Sequence, residues 1–337
     1  MAQSNSEKEA AKPHQTSDGF RNNYVGERSG FGDVLKWQWQ RFWHVEVTPI
    51  AFPLAANDPE YLRHNRTEPT LTWIGHASFL LQFDGLNILT DPHMSQRASP
   101  LSWMGPSRKV APGLAFEDLP PIDLVILSHN HYDHLDQKTI EKIHHQQKGH
   151  SPRFFVPLGL KAWFAKLGIE DVVELDWWET SQLGDLALHA VPVQHFSGRG
   201  PIDSNKTLWA GWVLEWSNFT FFFAGDTGYS ADFKDIGMRW GGFDLSAIPI
   251  GAYLPRWFMQ TVHVTPEEAV EIHRDVQSRY SVGMHWGTFV LSDKPMDEPP
   301  GRLRAALKEM AIPSEQFFMM QHGETRDLSF LFETEAE

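Results

Sequence analysis

The stretch Leu127-Ser128-His129-Asn130-His131-Tyr132-Asp133-His134-Leu135-Asp136 constrains this chain more than any other feature. It sets three histidines and two aspartates within eight positions, directly behind the apolar, strand-like run Ile122 to Leu127. Neutral imidazoles and carboxylates are the donors that a borderline divalent metal such as zinc takes. In an extended segment side chains alternate faces, so His129 and His131 point the same way and can share one ion. If the polar segment then turns, adjacent Asp133 and His134 can serve a second ion beside the first.

More candidate donors follow other strand-like runs. His195 comes after Leu186 to Val193, Asp226 after the aromatic run Phe219 to Ala224, and His285 after Ser281 to Met284. Five histidines and two aspartates therefore sit at strand-to-loop transitions, where rigid elements can hold donors to the tolerance a metal site needs.

The run His129-x-His131-x-Asp133-His134, with His195, Asp226 and His285 in order behind it, resembles the pattern of the metallo-β-lactamase superfamily. That resemblance implies one ion on His129, His131 and His195, a second on Asp133, His134 and His285, and Asp226 as the carboxylate bridging them. It also implies the superfamily's α/β fold, an αβ/βα sandwich of two facing mixed β-sheets flanked by helices. Zinc is the expected metal, although manganese or iron would suit the same donors.

Strand-like and helix-like segments interleave as such a fold requires. Strands are expected at Leu71 to Ile74, Phe79 to Phe83, Leu86 to Thr90, Phe154 to Pro157, Val172 to Leu175, Leu245 to Ile250 and Tyr280 to Met284. A closing strand is expected at Leu328 to Phe332. Helices are expected at Thr139 to His145, Leu158 to Leu167, Ser230 to Ile236 and Gly301 to Met310. Thr265-Pro266-Glu267-Glu268 reads as a capping box opening another. The expected organisation is a disordered polar segment over 1–19, an aromatic-rich extension over 20–68, and a hydrolase domain over 69–333. In the extension, Leu35, Trp39, Phe42 and Trp43 form one helical stripe that could cover the core, a membrane surface or a second subunit.

Composition narrows the partners. A formal charge of −14 argues against nucleic acid and against simple polybasic attachment to anionic membrane. An anionic substrate would depend on local positive charge, which two bound divalent ions supply. There are no cysteines, hence no disulfide and no thiolate ligand. No apolar run reaches membrane-spanning length and the first residues lack a signal-peptide core, so the expected location is cytoplasmic, with peripheral membrane contact.

A narrower resemblance rests on longer strings. Thr72-Trp73-Ile74-Gly75-His76-Ala77-Ser78, Leu89-Thr90-Asp91-Pro92, Phe222-Phe223-Ala224-Gly225-Asp226-Thr227-Gly228-Tyr229, Pro255-Arg256-Trp257-Phe258-Met259 and His285-Trp286-Gly287-Thr288-Phe289 resemble the N-acyl-phosphatidylethanolamine-hydrolysing phospholipase D family. Gly19-Phe20-Arg21-Asn22-Asn23-Tyr24 has a counterpart there too. The resemblance implies a phosphodiesterase that uses a metal-bridging hydroxide to release N-acylethanolamine and phosphatidic acid. It implies catalytic roles for Asp133 and Asp226. Together with the aromatic stripe, it favours a homodimer. A lactonase, or another ester or phosphodiester hydrolase acting on a small soluble substrate, is the alternative. His263 is the candidate for contact with the phosphate or leaving group, with His322 second. Val262 stands where mammalian members carry glutamine, which bears on lipid selectivity rather than on hydrolysis. Asp91, then Asp136, are candidates to orient the ligand imidazoles. His76 is open to a structural or a catalytic role. Tyr253, Trp257, Phe258 and Met259 are candidates for an acyl-chain wall.

Overall fold

The computed structural model describes residues 12–24, 50, 52–146, 151–200, 202–293 and 295–332. A short hairpin, β1 (Gln15–Thr16) and β2 (Gly19–Phe20), comes first, followed by helix α1 (Pro59–His64). Then come β3 (Thr70–Gly75), β4 (Ser78–Phe83), β5 (Leu86–Thr90) and β6 (Leu124–Ile126). Helix α2 (Gln137–Gln146), β7 (Arg153–Pro157), α3 (Lys161–Ala165) and β8 (Val172–Leu175) finish that half. The second half opens with β9 (Thr180–Leu183), β10 (Leu186–Val191), β11 (Gly211–Glu215) and β12 (Thr220–Phe223). It continues through α4 (Asp232–Trp240), β13 (Phe243–Pro249), α5 (Arg256–Met259) and α6 (Pro266–Asp275). After β14 (Ser278–Met284), α7 (Glu298–Glu309) and β15 (Phe317–Phe318), strand β16 (Thr325–Asp327) returns to the first half.

Two seven-stranded sheets result, ordered β16-β3-β4-β5-β6-β7-β8 and β15-β14-β13-β12-β11-β10-β9. Each combines an antiparallel part with a parallel part, the latter running from β5 to β8 in one sheet and from β12 to β15 in the other. Side-chain alternation builds the layers. Phe79 and Leu81 of β4 join the large core shared with Trp212, Phe221 and Leu245 of the second sheet. Leu80 between them joins a separate cluster with Val125, Leu127 and the α2 residues Ile140 and Ile143. This is the expected sandwich. Its parallel strands aim their C-terminal ends at one edge, where ligands bind in open α/β sheets.

Two expectations are corrected. Residues 12–19 are ordered: His14 and Gln15 hydrogen-bond to Asp176 at 2.6 and 2.8 Å, so a polar sequence is held by polar partners. Leu62 of α1, within the 20–68 extension, is buried in the outer cluster, so the extension packs on the core there. The closing segment 328–332 is a 3-10 turn at Ser329–Leu331, not a strand. The Asp327 carboxylate accepts the Ser329 N–H at 2.8 Å and turns the chain there, so the sheet edge is formed by β16 just ahead of it, paired with β3. The stripe Leu35, Trp39, Phe42 and Trp43 lies outside the described residues.

Candidate metal centre

Strand β6 ends where its pairing stops, and the chain crosses the sheet edge as residues 127–136. Ser128 fixes the exit. Its N–H and hydroxyl donate to the Asp91 carboxylate at 2.7 and 2.5 Å, and Asp91 itself stands directly after β5. Gly225 lies against this exit with φ +60°, and a Cβ there would come within 2.6 Å of the Ser128 Cβ. The glycine before Asp226 is thus a packing requirement. Past Asn130 the chain turns, with the His134 N–H on the His131 carbonyl at 3.1 Å.

The donors fall into two neighbouring groups. His129, His131 and His195 bring ring nitrogens together, with His131 Nδ1 lying 2.8 Å from His129 Nε2 and 3.3 Å from His195 Nε2. Asp133, His134 and His285 form the second group, and His76 joins them. His76 Nε2 is 3.0 Å from Asp133 Oδ2, and its ring centroid is 4.0 Å from that of His285. Asp226 lies between the groups: Oδ2 is 3.1 Å from His134 Nε2, 3.0 Å from His285 Nε2 and 3.9 Å from His195 Nε2.

The outer nitrogens of two of these rings are committed elsewhere, which fixes where the inner lone pairs point. His134 Nδ1 meets Asp91 Oδ2 at 2.7 Å, and His195 Nδ1 meets the Val262 carbonyl at 2.9 Å. Each can donate its Nδ1–H outward and turn an unprotonated Nε2 inward, as metal-bound histidines do. Burial lowers the pKa of His129 and of His195, keeping both neutral. Burial alone would raise Asp133 and Asp226, but the surrounding imidazoles, His134 foremost, hold both well below the usual carboxylate range.

The site passes the test for a cation. Among the described residues, Asp226 Oδ1 and His263 Nδ1 are buried and have no hydrogen-bond partner, although each belongs to a residue of one donor cluster. Buried unsatisfied polar atoms are costly, and convergent nitrogen and oxygen donors are what a divalent ion satisfies.

The other sequence candidates divide. Asp91 lies within hydrogen-bonding distance of one candidate ligand, His134. Asp136 is engaged elsewhere: its Oδ2 accepts the Thr139 hydroxyl at 2.5 Å and the Ser95 N–H at 3.0 Å, while its Oδ1 accepts the Lys138 N–H of the first turn of α2 at 3.3 Å. His263 is partly exposed, its side chain 14% accessible, with Nδ1 3.9 Å from Asp226 Oδ2. Helix α5 delivers it, since Met259 O accepts the His263 N–H at 2.8 Å and Arg256 Nη1 donates to His263 O at 2.8 Å. Burial pushes the His263 pKa down to about 4. His322 is excluded from substrate contact. It is buried against Trp73, with centroids 4.2 Å apart, and pairs with Thr288 Oγ1 at 2.9 Å, which accepts the His76 N–H. Tyr253 is no groove wall either, being fully buried with its hydroxyl on Glu298 at 2.5 Å and Arg302 across its ring. Met259 is buried, whereas Trp257 is 40% exposed and packs on Phe258.

One contributor carries no sequence signal. Arg199 Nη1 donates to the carbonyls of Asn130 and Leu135 at 2.9 and 2.8 Å and covers Tyr132, tying both ends of the donor loop together.

Comparison with known proteins agrees with this fold. The family model described as the beta-lactamase superfamily domain matches residues 86–286. The chain belongs to the metallo-β-lactamase superfamily, and it is a metal-dependent hydrolase of that fold. It is 43% identical over 236 residues to N-acyl-phosphatidylethanolamine-hydrolyzing phospholipase D 1 of Caenorhabditis elegans, covering 67% of this chain and 66% of that protein. It is 38% identical to the mitochondrial enzyme of the same name in Saccharomyces cerevisiae, covering 69% of this chain and half of that one. The chain thus spans about two thirds of the worm relative's length and half of the yeast relative's. An uncharacterized protein of Mycobacterium tuberculosis is 41% identical, over 78% of this chain and 70% of its own length. Among solved structures, a possible metal-dependent hydrolase from Veillonella parvula superimposes with a TM-score of 0.63 at 18% identity, covering 78% of this chain and all of that one, a likeness of fold.

Proposed function

We propose that this protein is a dinuclear-metal phosphodiesterase of the phospholipase D type, cleaving N-acyl-phosphatidylethanolamine to N-acylethanolamine and phosphatidic acid. The observation that carries the reading is the pair of donor groups, His129/His131/His195 and Asp133/His134/His285, meeting at Asp226 with the partly exposed His263 beside it. Its likeness to the worm and yeast phospholipases supports the choice of substrate.

Two divalent cations, zinc by donor type, would supply an activated water and neutralise the phosphate charge. The chain supplies the rest. Asp226 links the two donor groups, while Asp91 and the Val262 carbonyl hold the His134 and His195 rings. His263, kept neutral by burial, can donate or accept a hydrogen bond at the phosphate or the leaving oxygen. Hydrolysis breaks the phosphorus–oxygen bond on the ethanolamine side. The water oxygen stays on the phosphatidic acid, and a proton ends on the released hydroxyl. Trp257, 40% exposed on the helix ahead of His263, would be the apolar surface for an acyl chain.

The test is metal content and turnover on one sample, with N-acyl-phosphatidylethanolamine and an aryl phosphodiester as parallel substrates. Two ions per chain, preferential lipid cleavage, and loss of both ions and activity in Asp226→Ala are expected. Lactone or carboxyl-ester hydrolysis with every phosphodiester left intact would overturn the reading.

A further inference from the structure

We infer that Asn22, on the N-terminal arm of residues 12–24, is a positioning residue for the His129/His131/His195 half of the metal centre. The inference rests on the reading of His195 as a metal ligand. Asn22 grips the backbone of His195 from both sides: its Nδ2 donates to His195 O at 3.0 Å, and its Oδ1 accepts the His195 N–H at 3.1 Å. The same Oδ1 accepts Trp209 Nε1 at 3.0 Å, and Trp209 is itself buried in the core. The backbone of His195 is therefore fixed by a residue 173 positions earlier, while the Val262 carbonyl fixes its ring.

The rest of the arm is built to hold Asn22 there. Upstream, His14 and Lys12 meet the Asp176 carboxylate at 2.6 and 2.9 Å, and Lys12 also meets Glu179 at 2.9 Å. In the middle, Phe20 N donates to Asn205 O at 2.9 Å, on the loop that follows His195. A Cβ on Gly19 would stand 2.0 Å from that same oxygen, so only glycine lets the arm lie this close. Downstream, Asn23 binds Asp232 at 2.9 Å and Tyr24 binds Asp235 at 3.0 Å, both on α4. A segment outside the expected hydrolase domain thus completes the support of one metal ligand. Partners of this kind orient ligands, and losing one typically weakens metal affinity 10- to 100-fold.

The experiment compares full-length wild type, Asn22→Ala, Asp176→Asn and His195→Ala by zinc competition against a chelator of known affinity. The spectrum of the cobalt-substituted proteins identifies which ion is lost. Asn22→Ala should weaken one of the two ions about 10- to 100-fold, the same ion that His195→Ala loses, and leave the other unchanged. Asp176→Asn, which loosens the upstream anchor of the arm without touching the site, should weaken that ion in the same selective way, by a smaller factor. It carries the test if Asn22→Ala does not fold. Wild-type affinity for both ions, or equal weakening of both, would overturn the inference. Fewer than two ions in the wild type would overturn the metal-centre reading, and this inference with it.

Discussion

Asp91 accepts three hydrogen bonds within 2.7 Å, two from Ser128 and one from His134 Nδ1, and it is wholly buried. Its residue type is therefore chosen for charge as well as shape. Asp91→Asn should keep the fold, since asparagine tolerates the positive φ of 33° at this position. It removes the carboxylate that fixes the His134 tautomer. Affinity for the ion on His134 should fall about 10- to 100-fold in chelator competition. Unchanged affinity would show that His134 needs no such partner. That the candidate histidines and aspartates would converge was legible, because metal chemistry restricts residue type and such residues recur at strand ends. The supports were not. Ser128, the Val262 carbonyl, Arg199 and Asn22 act through ordinary hydrogen bonds, many to backbone, for which no residue pattern is required. Asp136 and His322 misled for the converse reason: both belong to chemistry-bearing types, yet one bonds into the first turn of α2 and the other is sealed behind Trp73.

At the scale of elements, apolar strands and the capped helix α6 were readable, and the polar edges were not. Thr265 accepts the Glu268 N–H while Glu268 reaches back to the Thr265 N–H, as the sequence box implies. Strand β9, Thr180–Leu183, alternates between exposed and half-buried side chains, and β16 is three polar residues. Pairing with β10 and β3 makes them strands, and pairing is non-local. The arm hairpin β1–β2 is a further case, held by the Asp176 carboxylate. Burial alone would raise Asp176, but hydrogen bonds from His14 and Lys12 hold its pKa at about 2 against an ordinary 3.8. A depressed folded-state value means the stabilisation is whole above pH 4 and disappears as pH falls toward 2. In metal-free protein, the stability gap between wild type and Asp176→Asn should accordingly close across that window. A gap independent of pH in urea unfolding would contradict the ion-pair account of arm docking.

For the whole molecule, the donors divide between the two halves of the sandwich. His76, His129, His131, Asp133 and His134 come from loops of the first sheet, and His195, Asp226, His263 and His285 from the second half. Bound ions would therefore cross-link the halves at one edge of a core they already share. Trp212 Nε1, donating to the Leu127 carbonyl at 2.8 Å, bridges the same halves beneath the donor loop without metal. Folding thus does not depend on metal alone, in contrast to small domains whose only core is the ion. Each ion present at 100 times its dissociation constant should add about 2.7 kcal/mol, so two should add roughly 5 kcal/mol. Thermal melts in buffered zinc should show a folded metal-free state, with Tm rising as free zinc increases and levelling only below the first dissociation constant. Sheet content should stay constant throughout. A Tm indifferent to free zinc would mean the nine donors hold no ion in preference to the unfolded chain, and a metal-free chain without sheet structure would mean the shared core cannot stand without its cross-link.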